Sequence, residues 1–235
     1  MDHPVVREIA SQIVDRRVIT YGASEDADVC VTNISSLPKG TCFDITVRGK
    51  HKTTQGIKTV MLPMFGKHNV LNALASIAVA FEMGLSEKVI RKSLEEFQGV
   101  KRRFTKIGEV NSITIIDDYG HHPVEIAAAL DASRLACAEG KVIAIMQPHR
   151  FTRLRDLFDD FCKCFRDADI VFVTDVYSAG EDPMDGCNAE SLVEGINRNG
   201  QCQAFHLEDP VSLASRIAEI VIPGDLIIFL GAGNI

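Results

Sequence analysis

Residues 112–147 read SITIIDDYGHHPVEIAAALDASRLACAEGKVIAIMQ. The apolar run over 112–119 predicts a strand that ends in polar residues. Pro123 fits the first turn of a helix, where a missing N–H costs nothing, and a helical pattern follows over 123–140. Residues 141–147 return to an apolar strand. The same alternation continues with a helix over 152–168, a strand over 169–176, a helix near 189–200, a strand over 201–207, a helix over 209–222 and a last strand over 225–235. Apolar strands alternating with helices imply a parallel sheet covered on both faces. The expected fold of this half is a doubly wound, mostly parallel α/β sheet.

Upstream the rhythm differs. A helix is expected over 4–14 and short strands over 18–22 and 28–34. Residues 42–49 and 58–64 alternate apolar and polar positions and predict antiparallel strands around a turn at Gly49. Val70, Leu74, Ile77, Ala78 and Phe81 recur at helical spacing within 66–84, and Gly84 supplies a stop. A second helix starts at Ser86 as N-cap and closes at Gly99. Residues 1–104 carry 15 Lys+Arg against 11 Asp+Glu, whereas 105–235 carry 10 against 21. That asymmetry places a boundary near GVKRRFTKIG, so the expected domains are 1–104 and 105–235.

The formal net charge of −7 disfavours a nucleic-acid partner, which needs a basic surface. No apolar run is long enough to span a bilayer, and the charged start MDHPVVREIASQIVDRR fits neither a signal nor a transit peptide. The seven cysteines are scattered without a Cys-x-x-Cys pair, which points to a reducing, cytoplasmic setting rather than a zinc site or disulfide framework. These residues leave the oligomeric state open.

Ligands of parallel α/β sheets gather at the carboxyl ends of the strands, and polar clusters fall there. Asp117, Asp118, Tyr119, His121 and His122 follow the strand of the opening stretch. A polar, helix-capping loop explains any one of them, but the set exceeds what a cap requires. After the next strand comes QPHRFTRLRD. With Thr152 as N-cap, Arg153 and Arg155 occupy a first helical turn beside Arg150, where the helix dipole disfavours cations. A bound anion between Arg150 and Arg153 resolves the conflict; pairing with Asp156, Asp159 and Asp160 is the plainer account. In GKHNVLN, Asn69 and Asn72 share a helical face that continues through the small residues Ala73, Ser76 and Ala80, so a flat group such as an adenine could approach. Two capping asparagines explain the same residues. Lys101, Arg102 and Arg103 are either a solvated linker or phosphate and ribose contacts. GAGNI is a weak phosphate-loop signal, and Gly-x-x-x-x-Gly-Lys-Ser/Thr is absent.

The series GKHNVLNALA, GVKRRF, DDYGHHPVEI, QPHRFTRLRDLFDDF, DVYSAGE and GDLIIFLGAGNI resembles the Mur ligases, and within them the branch that joins L-alanine to UDP-N-acetylmuramate. The resemblance runs along nearly the whole chain. It implies an ATP-dependent ligase of peptidoglycan precursor synthesis that works through an acyl phosphate with Mg2+. It also implies a Rossmann-like C-terminal domain at 105–235, preceded by the second part of a central ATP-binding domain. By the same resemblance His68, Asn69 and Asn72 lie at the adenine and Arg103 contacts ATP. Asp118 holds the ribose, Tyr119 and His121 are the catalytic residues near the amino-acid and acyl-phosphate site, and Arg150 and Arg153 hold the alanine carboxylate. The expected partners are the small molecules ATP, L-alanine and UDP-N-acetylmuramate.

The family's sugar-nucleotide domain, its phosphate-binding loop and a terminal helix after GAGNI have no counterpart here, so the chain is expected to be a fragment, inactive alone, whose nucleotide is clamped between two domains. Two other readings compete. One is a stand-alone α/β module that binds a nucleotide or amino acid. The other is a metal hydrolase with Asp117, Asp118, His121, His122 and His149 as ligands, disfavoured because adjacent histidines point apart.

Overall fold

The computed structural model describes residues 1–37, 39–48, 54–137, 139–233 and 235. It forms two compact units, Met1–Gly99 and Val100–Ile235.

The first unit holds helix α1 (Pro4–Gln12) and a four-stranded sheet of β1 (Tyr21–Gly22), β2 (Val29–Leu37), β3 (Gly40–Arg48) and β4 (Thr54–Leu62), in that spatial order. β1 and β2 are parallel and the other pairs antiparallel. The expected strand over 18–22 shrinks to its last two residues, and the expected Gly49 turn lies outside the described residues. Phe43, Ile45 and Val47 alternate inward along β3 and pack against Val70, Leu74 and Ile77 of α2 (Lys67–Glu82) and Ile90 of α3 (Glu87–Glu95). Gly84, at φ 75°, closes α2 in a Schellman arrangement: the Leu85 N–H reaches the Ala80 carbonyl and the Gly84 N–H reaches that of Phe81. α3 stops at Glu95, ahead of the expected Gly99.

In the second unit the order is β5 (Thr105–Val110), β6 (Ile113–Asp118), α4 (Pro123–Ala136), β7 (Val142–Met146), α5 (Phe151–Asp156), α6 (Phe158–Lys163), β8 (Ile170–Thr174), α7 (Ala189–Asn199), β9 (Gln203–Leu207), a 3-10 turn (Pro210–Ser212), α8 (Leu213–Ala218) and β10 (Leu226–Leu230). The six strands lie in the order β5-β6-β10-β7-β8-β9. All neighbours are parallel except β5 with β6. β5 is an unexpected antiparallel edge strand, joined to β6 through Asn111 and Ser112, both with positive φ, as a tight hairpin requires.

β7 is buried along its whole length, and its side chains divide between two cores. Val142, Ala144 and Met146 face Ile126, Leu130, Leu154, Phe161, Leu192 and Ile196 of α4 to α7, whereas Ile143 and Ile145 face the side that carries Ile217 of α8. Fully burying a side chain such as Ile126 or Leu130 stabilises by about 1.5–3 kcal/mol. Coverage is therefore unequal: among the described residues one face carries α4 to α7 and the other the short α8. The expected helix over 152–168 breaks at Leu157 into α5 and α6, and the one over 209–222 is reduced to the 3-10 turn and α8.

Candidate functional site

The register places Leu230 of β10 between Asp118 of β6 and Met146 of β7, so three parallel strands end level. The loops after them, and the loop after β8, carry most of the polar residues singled out from the sequence.

Asp118 is 4 % exposed, and its carboxylate joins two segments. One oxygen accepts the Gly120 N–H at 2.6 Å and the other the Phe104 N–H at 2.7 Å. Gly120 is required here because a Cβ would stand 2.7 Å from the first oxygen. Asp117 instead pairs with Arg102 at 3.3 Å. Arg102 also donates to the carbonyls of Gly231, Ala232 and Gly233, so its guanidinium organises the GAGNI loop; Asn234 of that loop lies outside the described residues. Arg103 is less committed: its guanidinium is 4.0 Å from Glu125 and 44 % exposed. Both arginines lie over the Tyr119 ring, at 5.3 and 5.8 Å. Arg102 and Phe104 adopt left-handed φ, strain of the kind that gathers at functional sites.

His122 is the N-cap of α4: its Nδ1 accepts the Val124 N–H, and Glu125 accepts the His122 N–H in return. The capping account therefore holds for His122. Glu125 also accepts the His121 N–H at 3.2 Å. Burial opposes ionisation of this carboxyl, but these two N–H groups and the charge of Arg103, joined by that of His121 whenever its ring is protonated, hold it below the usual glutamate range. His121 has a different role. Its Nδ1 is 3.0 Å from the Tyr119 carbonyl oxygen, which can only accept. The neutral ring therefore carries its proton on Nδ1 and presents a lone pair at Nε2.

The His121 ring lies 5.2 Å from that of Tyr119 and 5.5 Å from that of His149, and His149 stacks on Tyr177 at 5.2 Å. Arg153 donates to the His149 carbonyl at 3.1 Å and approaches Nδ1 of that ring at 3.4 Å. A guanidinium cannot accept, so Nδ1 is the acceptor and the His149 proton sits on Nε2. Burial, with a protonated His121 when present and the charges of Arg153 and Arg150, pushes the His149 imidazole below its ordinary value, against an opposing pull from Glu181. Tyr119, His121, His149, Tyr177 and Arg153 thus form one connected cluster.

The helix-dipole expectation needs correction. Arg150, not Thr152, is the N-cap of α5, at φ 74°. The helix has six residues, so Arg153, its third, lies in the first turn as well as the last, whereas Arg155 belongs to the last turn alone. The anion beside it is the protein's own: Glu181 accepts both the N–H and the hydroxyl of Thr152, at 2.9 and 2.6 Å, and lies 3.7 Å from Arg150. Those two Thr152 contacts, with the Arg150 charge, hold the Glu181 carboxyl below its usual range. Of the acidic pairings considered from the sequence, Arg155 with Asp156 occurs. Glu181 was missed because its partner is 29 residues away.

In the first unit His68, Asn69 and Asn72 occupy the start of α2. Asn69 is buried and donates to the Phe65 carbonyl at 2.8 Å, whereas Asn72 is exposed, so the two amides do not share an environment. The N-cap is Gly66, so neither asparagine caps the helix. Among the described residues no three His, Cys, Asp or Glu side chains converge to hold a metal, and no helix is long and apolar enough to cross a membrane. All seven cysteines are free thiols.

The family profile described as "Mur ligase, glutamate ligase domain" matches residues 102–233, and that of the "Mur ligase middle domain" matches residues 1–80. A UDP-N-acetylmuramate–L-alanine ligase of Phenylobacterium zucineum is 51% identical over 235 residues, all of this chain and 49% of the relative. One of Mesorhizobium japonicum is 52% identical over all of the chain and 50% of the relative. The chain thus spans about half the length of the curated relatives it matches. Among solved structures, the UDP-N-acetylmuramate–alanine ligase MurC of Thermotoga maritima superposes with a TM-score of 0.72 at 27% identity, over 97% of this chain and 46% of that one.

Proposed function

The chain belongs to the Mur ligase family, and on that premise we propose that it supplies the amino-acid side of an ATP-dependent ligation joining L-alanine to UDP-N-acetylmuramate in the cytoplasm. The observation that carries this reading is the cluster at the strand ends, which sets a proton acceptor, His121 Nε2, beside an arginine-bearing loop.

The proposed chemistry has two steps. The sugar carboxylate takes the γ-phosphoryl group of ATP, giving an acyl phosphate and ADP. The alanine amine then attacks the acyl carbon, the carbon–oxygen bond to phosphate breaks, and inorganic phosphate leaves. Arg150 and Arg153 hold the alanine carboxylate through forked guanidinium contacts. His121 Nε2 takes the proton that the amine sheds, as a general base. The neutral His149, with its proton on Nε2, donates a hydrogen bond without adding a charge. Tyr119 lines the same site, and Arg103 stabilises negative charge on the transferring phosphoryl group.

For the nucleotide, Asp118 meets the ribose. His68 and Asn72 meet the adenine, with Asn69 holding the helix start that carries them. Mg2+ would arrive on the nucleotide phosphates and complete its shell largely with water; no metal cluster of the chain's own forms among the described residues.

A chimera tests this reading: residues 1–235 replace the half of the Phenylobacterium zucineum relative that they match. Phosphate release should require ATP, UDP-N-acetylmuramate and L-alanine together. A folded chimera that binds ATP and releases no phosphate on addition of alanine would overturn the reading in favour of a binding module.

A further inference from the structure

We propose that Glu181 is the positioning residue of this site: held by Thr152, it aligns the Arg150 guanidinium for a carboxylate ligand that Glu181 itself does not touch. The proposal rests on the reading that Arg150 binds the alanine carboxylate, and assigns a role to the DVYSAGE stretch.

The loop after β8 is stitched to the loop after β7 at consecutive points. The Tyr177 N–H donates to the Pro148 carbonyl and the Arg150 N–H to the Tyr177 carbonyl, both at 2.8 Å. Ala179 and Gly180, both left-handed at φ 51° and 86°, then reverse the chain and deliver Glu181 to Thr152. Each Glu181 oxygen takes one Thr152 donor, which fixes the carboxylate.

At 3.7 Å the contact with Arg150 is an ion pair, too long for a hydrogen bond. The charge orients the guanidinium while its N–H groups remain available for a planar anion, and the half-exposed Arg150 side chain leaves room for one. The left-handed backbone of Arg150 is held from the same loop, so one segment fixes both ends of that residue. Without Glu181 the Arg150 guanidinium would lose the charge that orients it.

The experiment follows the Arg150 amide and Nε–H signals by NMR in the 235-residue chain, with L-alanine as probe, for wild type, Glu181→Gln, Glu181→Asp and Thr152→Val. In Glu181→Gln the Arg150 Nε–H should lose its order and L-alanine binding should weaken by about ten- to a hundredfold. Glu181→Asp should restore part of both. Should Glu181→Gln unfold, Thr152→Val, which loosens the carboxylate but keeps its charge, must shift both signals in the same direction. Unchanged Arg150 order, or unchanged or tighter L-alanine binding in a folded Glu181→Gln chain, overturns the proposal; tighter binding would make Glu181 a competitor of the ligand. Absence of L-alanine binding to wild type would sink the alanine reading alone, because the Arg150 signals decide the role of Glu181 without ligand.

Discussion

The Nδ1 atom of His121 lies 3.0 Å from the carbonyl oxygen of Tyr119. A backbone carbonyl thereby selects the tautomer of a side chain two residues away and leaves the lone pair of the neutral ring on Nε2. Nitrogen-detected NMR of the folded chain should find the neutral ring protonated on Nδ1. In the chimera, His121→Ala should lower alanine-dependent phosphate release by about 10²–10⁴-fold. A proton on Nε2 would remove His121 as the base.

His149 should titrate below its ordinary value of 6.5. An unfolded chain then binds more protons than the folded one as pH drops below that value. This residue's contribution to stability is therefore complete above about 6.5 and is lost as pH falls through the lower folded value. His149→Gln should flatten the difference in urea stability between pH 7 and pH 5. An equal pH dependence in the two proteins would contradict the assignment.

Asp118 and Gly120 should behave as a pair. Asp118→Asn leaves one backbone N–H facing an amide NH2 group and should cost about 2 kcal/mol in urea unfolding. Gly120→Ala should cost about 1–3 kcal/mol through overpacking against the same carboxylate. If Asp118→Asn is neutral for stability, the carboxylate is not the pin between residues 104 and 120.

Helix packing offers a test remote from the site. An alanine Cβ at Gly195 of α7 would stand 2.3 Å from the Cys162 sulfur of α6. Gly195→Ala should destabilise by about 1–3 kcal/mol. Adding Cys162→Ala should recover part of that loss, with a coupling of about 1 kcal/mol. Strict additivity would show that the two helices do not meet there.

The β6–α4–β7 segment was legible because Pro123 and two apolar runs each admit one local structure. β5 was not, because Ile107 and Val110 are more than half exposed and Gly108 interrupts the run. The break between α5 and α6 was hidden because Leu154, Leu157, Phe158 and Phe161 keep an apolar spacing across it. Within the site, titratable residues at the strand ends marked the place but not the partners. Arg102 and Arg103 are chemically alike neighbours, yet Arg102 is committed to carbonyls 129–131 residues away and Arg103 is not. Contacts at that separation leave no periodic trace, which is why Glu181 was also unseen.

The central claim is that Arg150, Arg153, His121, His149 and Tyr119 bound one amino-acid site. Titrating L-alanine into the isotopically labelled 235-residue chain tests it most directly. Shifts should concentrate on those five residues, with D-alanine producing weaker ones. Saturable L-alanine shifts centred elsewhere, with those five unmoved, would contradict it.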